Sequence, residues 1–287
     1  MNIAKNIWRS MLFVPANNDQ FVRKAHLQGS DAIILDLEDS VPYDQKQSAR
    51  DSLATAVDYI ARYNIDILVR INIEEGLRTA DIEAIIGLKV SAIVVAKTET
   101  AEQISKISAQ ITQLEKKRVH GTPINIIAQI ESVYALLHLD DIAKSPRVFA
   151  MTLGPEDFCV SAGMSPTPDS LLFPNQQVLF ACRRAGITPY GFVGSIADYS
   201  DLDAFRVMVR RASDLGFEGA FCIHPNQAKI LNEELYPSES TIAWAEEVVR
   251  FFEKAKIDGK GAFMYEGKMV DQPVILRAKK ILSLKER

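Results

Sequence analysis

The sequence predicts an α/β protein whose main body is a (β/α)8 barrel of the TIM type. Three observations carry this. Eight short apolar runs alternate with longer segments of helical period, most of those runs are nearly continuous in Val, Ile, Leu and Phe, and unusual polar residues gather where the runs finish. Strands of a parallel sheet are buried on both faces, which removes the polar alternation of a half-exposed strand. A doubly wound open sheet is the alternative, but it usually brings a glycine-rich first turn, and VPANND after the first run has none.

The runs are SMLFVPA (10–16), AIILDLE (32–38), DILVRIN (66–72), AIVVAKT (92–98), INIIAQIE (124–131), RVFAMTLG (147–154), TPYGFV (188–193) and GAFCIHP (219–225). The helical segments that follow them in turn are NDQFVRKAHLQG, YDQKQSARDSLATAVDYIARY, TADIEAIIGL, TAEQISKISAQITQLEKKR, SVYALLHLDDIAKS, NQQVLFACRRAG, SDLDAFRVMVRRASDLG and STIAWAEEVVRFFEKAK. Asp44 and Thr100 are candidate N-caps, because a short oxygen-bearing side chain satisfies an orphan amide of the first turn. Gly29, Gly186 and Gly216 stand where helices stop in the left-handed region. Residues 1–258 are therefore read as the barrel domain, and 259–287, whose glycines suggest a loop or hairpin before a short helix, as a C-terminal lid or tail.

Composition narrows the function. With 33 basic and 37 acidic residues in 287, the net charge is −4, and no Lys/Arg cluster is present to track a phosphate backbone, so nucleic acid is not an expected partner. No apolar run is long enough to span a bilayer, so no membrane is expected. Three cysteines, Cys159, Cys182 and Cys222, without C-x-x-C spacing favour a reducing, cytoplasmic setting over a disulfide framework.

In such a barrel the chemistry sits at the C-terminal ends of the strands. Asp36, Glu38 and Asp39 end the second run, Arg70 and Asn72 the third, and Lys97 the fourth. Gln129 and Glu131 end the fifth, Glu156 and Asp157 follow the sixth, and His224 closes the eighth. The plain alternative is that strand ends leave the core and turn polar anyway, with Asp39-Ser40 a capping turn and IHPNQ a strand-to-helix turn. Arg70 resists that reading, since it lies among apolar neighbours in LVRIN and a buried guanidinium needs an anion. Two carboxylates about 4 Å apart repel by roughly 4 kcal/mol at an effective dielectric near 20, so the acids need a cation. The four histidines lack zinc spacing, whereas hard oxygen ligands suit Mg2+, with Glu131 and Asp157 the best pair.

Taken in order, RSMLFVPAN, DAIILDLEDSV, LVRIN, VVAKTET, IIAQIES, LGPEDF, GFEGAFCIHPNQ and GKMVDQPV resemble the citrate lyase β-subunit family, which includes malyl-CoA and citramalyl-CoA lyases. The resemblance implies Mg2+ on Glu131 and Asp157, and substrate binding by Arg70 with Arg9 and Lys97 nearby. It implies supporting acids at Glu38 and Asp39, and a catalytic acid at Asp271 delivered from the tail of a neighbouring subunit in a trimer or hexamer. The implied reaction is carbon–carbon cleavage of a short 3-hydroxyacyl-CoA thioester. A β subunit acting on citryl-acyl carrier protein, and a barrel that binds a CoA ester without turnover, are the alternatives. This chain departs from many relatives in having Ala220 and Phe221 after Gly219, PYG in the seventh run and VPAN in the first. Those departures leave carrier and substrate open.

Overall fold

The computed structural model describes residues 8–117, 123–197, 199–257 and 261–285. Arg118 and His120, together with residues 258–260 around the expected domain boundary, lie outside them. The chain divides into two compact units, Met1–Leu235 and Tyr236–Arg287.

In the first unit, β1 (Ser10–Pro15), β2 (Ala32–Asp36), β3 (Asp66–Ile71), β4 (Ala92–Val95), β5 (Asn125–Ile130), β6 (Val148–Leu153), β7 (Thr188–Tyr190) and β8 (Ala220–Cys222) form one parallel sheet. Its order, β7-β6-β5-β4-β3-β2-β1-β8, places β7 and β8 at the two ends. Backbone bonds from Gly191 N to Gly219 O (2.8 Å) and from Glu218 N to Pro189 O (3.1 Å) bridge that seam and nearly close the barrel. All eight expected runs are strands.

The helices are α1 (Asp19–Lys24), α2 (Lys46–Ile60), α3 (Glu75–Ile85), α4 (Ala101–Glu115), α5 (Val133–Leu136), α6 (Leu139–Ala143), α7 (Pro155–Ala162), α8 (Pro168–Ala185), α9 (Leu202–Leu215) and α10 (Pro225–Glu234). Thr100 caps α4 by accepting from Gln103 N, and Gly186 and Gly216 end α8 and α9 in the left-handed region, as expected. Asp44 does not cap α2: extended Pro42 delays the turn, Tyr43–Gln45 forms one 3-10 turn, and α2 begins at Lys46 without a side-chain cap. α8 begins at Pro168, earlier than expected, because Thr167 caps it and a first-turn proline needs no helical partner for its nitrogen. Pro174 then lies buried within it.

The period of two divides the strands between two cores. Met11, Ala32, Ile34, Leu68, Ala92, Val94, Ile127, Ala150, Tyr190 and Phe221 fill the barrel interior. Their neighbours, such as Leu12, Ile33, Leu35, Val69, Ile93, Ile126 and Met151, pack outward with the helices. Interior parity continued to the strand ends selects Phe13, Asp36, Arg70, Gln129, Glu131, Thr152 and Gly154.

In the second unit, α11 (Glu239–Ile257) packs on α12 (Gln272–Lys285) around Ala245, Val248, Val270, Ile275 and Ala278. The hairpin of β9 (Phe263–Tyr265) and β10 (Lys268–Val270) turns through Glu266 and Gly267, both at positive φ. The expected boundary at 258 is thus displaced to 235: α10 completes the eighth β/α unit, and the apolar stripe of α11 finds its partner in the tail.

A side chain at Gly219 has no room, since a Cβ there would lie 1.9 Å from Trp8 O. Gly219→Ala is expected to destabilise the protein by at least about 2 kcal/mol in urea unfolding. Gly76→Ala, with open space around the added methyl, should be neutral or slightly stabilising.

Candidate active site

Asp36 and Arg70 are register partners on β2 and β3, and both face the barrel interior. Their side chains form a buried bidentate pair, Nε–Oδ1 and Nη2–Oδ2 both at 2.7 Å. The carboxylate also accepts from Glu38 N, Ser40 N and the Ser40 hydroxyl. Burial alone would raise the Asp36 carboxyl, but Arg70 and these donors more than offset it and hold the group below the usual carboxylate range. Arg70 also lies 4.5 Å over the Phe13 ring. Its remaining nitrogen, Nη1, faces Glu38 Oε2 at 3.2 Å and Asp39 Oδ2 at 3.4 Å.

Glu38 is buried, with Oε1 accepting from Lys97 Nζ at 2.9 Å. Its Oε2 is within ion-pair reach of Arg70 but makes no hydrogen bond among the described residues. Burial pushes the carboxyl up, and neighbouring Asp39 adds to this against the pull of Arg70 and Lys97. Lys97 holds a left-handed backbone (φ 48°), uncommon for a side-chain-bearing residue, and this turns its N–H onto Glu131 Oε2.

Glu131 is buried between that N–H and Gln129 Nε2, which donates to Oε1 at 2.8 Å. Burial, with Asp157 and Glu38 adding like charge, pushes its carboxyl up to about 8. Only glycine fits opposite it, because a Cβ at Gly154 would stand 2.5 Å from Glu131 Cγ and Oε1. Asp157 occupies the first turn of α7, where the positive helix end favours an acid. A cavity of about 780 Å3 opens over these groups, lined among others by Phe13, Arg70, Glu131, Asp157, Phe221 and His224.

The structure therefore brings together Arg70, Glu38, Asp39, Lys97, Glu131 and Asp157. It does not bring Arg9 there. Arg9 precedes β1 at the opposite end of the strand, roughly 20 Å away by strand rise, where it clasps Asp31 (Nε–Oδ2 and Nη2–Oδ1 both 2.8 Å) and Asn232 O. Position along the strand, which a motif does not convey, decides this. Asp271 lies in the second unit between β10 and α12. Asn72 is tied to Asp81 and Leu37 O, a structural role. His224 caps α10, with Nδ1 accepting from Asn226 N, so the plain reading of IHPNQ holds while the ring also borders the cavity. Glu156 accepts from the Ser195 hydroxyl.

Sequence reasoning missed Lys46, the cation beneath the acid loop, although its place in the stripe Lys46, Ala49, Leu53, Val57, Ile60 of α2 was a readable signal. It also missed Gly154 and the aromatic support from Phe13.

Among the described residues, no group of three or more His, Cys, Asp or Glu side chains is arranged to hold a metal ion. Two carboxylates with water and substrate are the usual protein share of a Mg2+ site, however. Asp157 adds like charge to buried Glu131, and Gln129 Oε1 beside it is a buried acceptor without a partner among the described residues. The hard donor set fits Mg2+.

Residues 9–225 match the family described as HpcH/HpaI aldolase/citrate lyase. The chain belongs to this family. It is 33% identical over 286 residues to the citrate lyase subunit beta of Leuconostoc mesenteroides subsp. cremoris, covering 96% of this chain and 92% of that one. It is 32% identical over 301 residues to an L-malyl-CoA/beta-methylmalyl-CoA lyase of Cereibacter sphaeroides, covering 96% and 93%. Among solved structures, protein CitE from Mycobacterium tuberculosis in complex with magnesium, acetoacetate and coenzyme A matches with a TM-score of 0.77 and 26% identity, over 97% of this chain and 98% of that one. The named relatives in this family are lyases, and the related structure carries the barrel observed here. No helix of this family member, among the described residues, is long and apolar enough to cross a membrane.

Glu131 gives a pH test. Its carboxyl is raised in the folded protein, so its contribution to stability is present below about pH 4.5, the ordinary glutamate value, and is lost as pH rises through about 8. Metal-free protein should melt lower near pH 8.5 than near pH 6, and Mg2+ should raise Tm more at the higher pH. Glu131→Gln should reduce both differences, leaving what Glu38 contributes.

Proposed function

We propose that this chain is a Mg2+-dependent carbon–carbon lyase acting on a short 3-hydroxy-3-carboxyacyl-CoA thioester. Citramalyl-CoA or malyl-CoA would yield acetyl-CoA and pyruvate or glyoxylate. The observation that carries the reading is a guanidinium fixed by Asp36 beside the Glu131–Asp157 pair at one barrel mouth.

Glu131 and Asp157 would hold the ion. Bound Mg2+ supplies Lewis-acid stabilisation of the negative charge that develops on oxygen as the bond breaks. Arg70 faces the same charge from a direction that Asp36, Phe13 and Glu38 fix in advance, so little reorganisation is needed at the moment of reaction. Lys97, steadied by Glu38 and Asp39, is the proposed binder of a substrate carboxylate. In the reaction the hydroxyl gives its proton to solvent as its oxygen forms the carbonyl of the 2-oxo acid, the electrons of the C–C bond move to the thioester, and the enolate takes a proton on carbon. Asp271 is the proposed donor of that proton, from the tail of a neighbouring subunit in a homotrimer or hexamer, with the tail acting as a lid; the match of KMVDQP to related lyases supports this. The three free, buried cysteines and the lack of a membrane-spanning helix among the described residues support a cytoplasmic setting.

The second reading, a citrate lyase β subunit acting on a carrier-bound citryl group, is favoured by the Leuconostoc relative.

A coupled assay for 2-oxo acid, with citramalyl-CoA and malyl-CoA offered separately to metal-stripped protein, should give Mg2+-dependent product from one of them. Asp157→Ala should lower it at least about a hundredfold. Release of product only from citryl-acyl carrier protein would establish the second reading. Arg70→Met and Asp271→Asn should each be nearly inactive, and mixed oligomers of the two should regain activity. No regain on mixing would mean that Asp271 does not act across subunits.

A further inference from the structure

A buried cation stands behind the acid loop and touches none of the cavity. Lys46, the first residue of α2, sends Nζ to the carbonyl oxygens of Leu37 at 2.9 Å and Glu38 at 2.5 Å. Asn72 Nδ2 donates to the same Leu37 carbonyl at 2.8 Å and is itself held by Asp81, which pairs with Arg50 at 3.0 Å.

The loop from Leu37 to Ser40 is thus satisfied in two directions. Its amides at Glu38 and Ser40 point to the Asp36 carboxylate, and its successive carbonyls at Leu37 and Glu38 point to the Lys46 ammonium. Asn72 Nδ2 meets the Leu37 carbonyl and Val41 N the Glu38 carbonyl, one donor each, whereas the Lys46 ammonium bridges the two and offsets the repulsion between adjacent carbonyls turned the same way. With backbone dipoles committed inward, the side chains of Glu38 and Asp39 are left facing Arg70 and Lys97. Lys46 spends its charge on backbone, and α2, anchored by Ala49, Leu53, Val57 and Ile60 in the core, carries it as a fixed post.

We propose that Lys46 is a positioning residue: through the Leu37 and Glu38 carbonyls it sets the rotation of the acid loop and hence the aim of Arg70 at the substrate oxygen. The proposal rests on the lyase reading for its catalytic consequence, but its geometric content stands apart from it.

The test compares wild type, Lys46→Met and Ala49→Gly, the last a destabilising change on the same helix at a methyl that can make no hydrogen bond to the loop. Each is measured by Tm, by kcat and KM on the active thioester, and by calorimetric binding of oxalate with Mg2+, a planar chelating analogue of the 2-oxo acid product. The expected result for Lys46→Met is a kcat lower by about 10- to 100-fold with KM within about twofold, and oxalate binding at least about tenfold weaker. Ala49→Gly should lose stability while keeping kcat and oxalate affinity. Equal effects in the two variants, or unchanged kcat and oxalate affinity in Lys46→Met, would overturn the positioning role. A wild type silent on every thioester would refute the lyase reading alone, and the oxalate comparison would then decide the role of Lys46. Should Lys46→Met not fold, Lys46→Arg, which keeps a cation of different reach, replaces it with the same two criteria.

Discussion

The buried pair of Asp36 and Arg70 is the interaction on which the site depends. A guanidinium inside a barrel is costly to desolvate and stays only if its hydrogen-bond donors are met. Asp36 meets two of them, Glu38 and Asp39 face a third, and the Phe13 ring covers its face. Removing Asp36 would leave the guanidinium without its bidentate partner, so the other parts of the mouth are arranged around this pair.

The same constraint accounts for the opposite sign of the pressures on the acids. Asp36, saturated with donors, is held ionised, whereas Glu131, buried with fewer donors and with Asp157 for a neighbour, is pushed up to about 8. One carboxylate is a structural counter-ion and the other waits for a cation. That contrast separates the support from the candidate metal pair without reference to any relative.

Much of the fold was legible because the barrel imposes simple patterns. Burial on both strand faces gave continuous apolar runs, and all eight became strands. The polar ends at Asp36, Arg70 and Glu131 converge because interior parity and parallel strands force them to one rim, and α7, following β6, adds Asp157 there. Where local signals competed, reading failed for definable reasons. Asp44 looked like a cap, but Pro42 had already fixed the turn, and α11 looked like an eighth barrel helix, but its stripe fits α12. Arg9 sits in a motif beside site residues, yet six residues of extended chain separate it from the mouth.

What the sequence determined by itself was the alternation of strand and helix and the family, since each follows from local period or from ordered motifs. What only the tertiary structure decided was which charges meet. The left-handed turn at Lys97 that aims its amide at Glu131, the empty space at Gly154 that admits that carboxylate, and the insertion of Lys46 under the acid loop all join residues distant in the chain. Such contacts are fixed by packing in three dimensions, where an atom's room and its partner's charge are set by other strands, and no pattern along one strand encodes them.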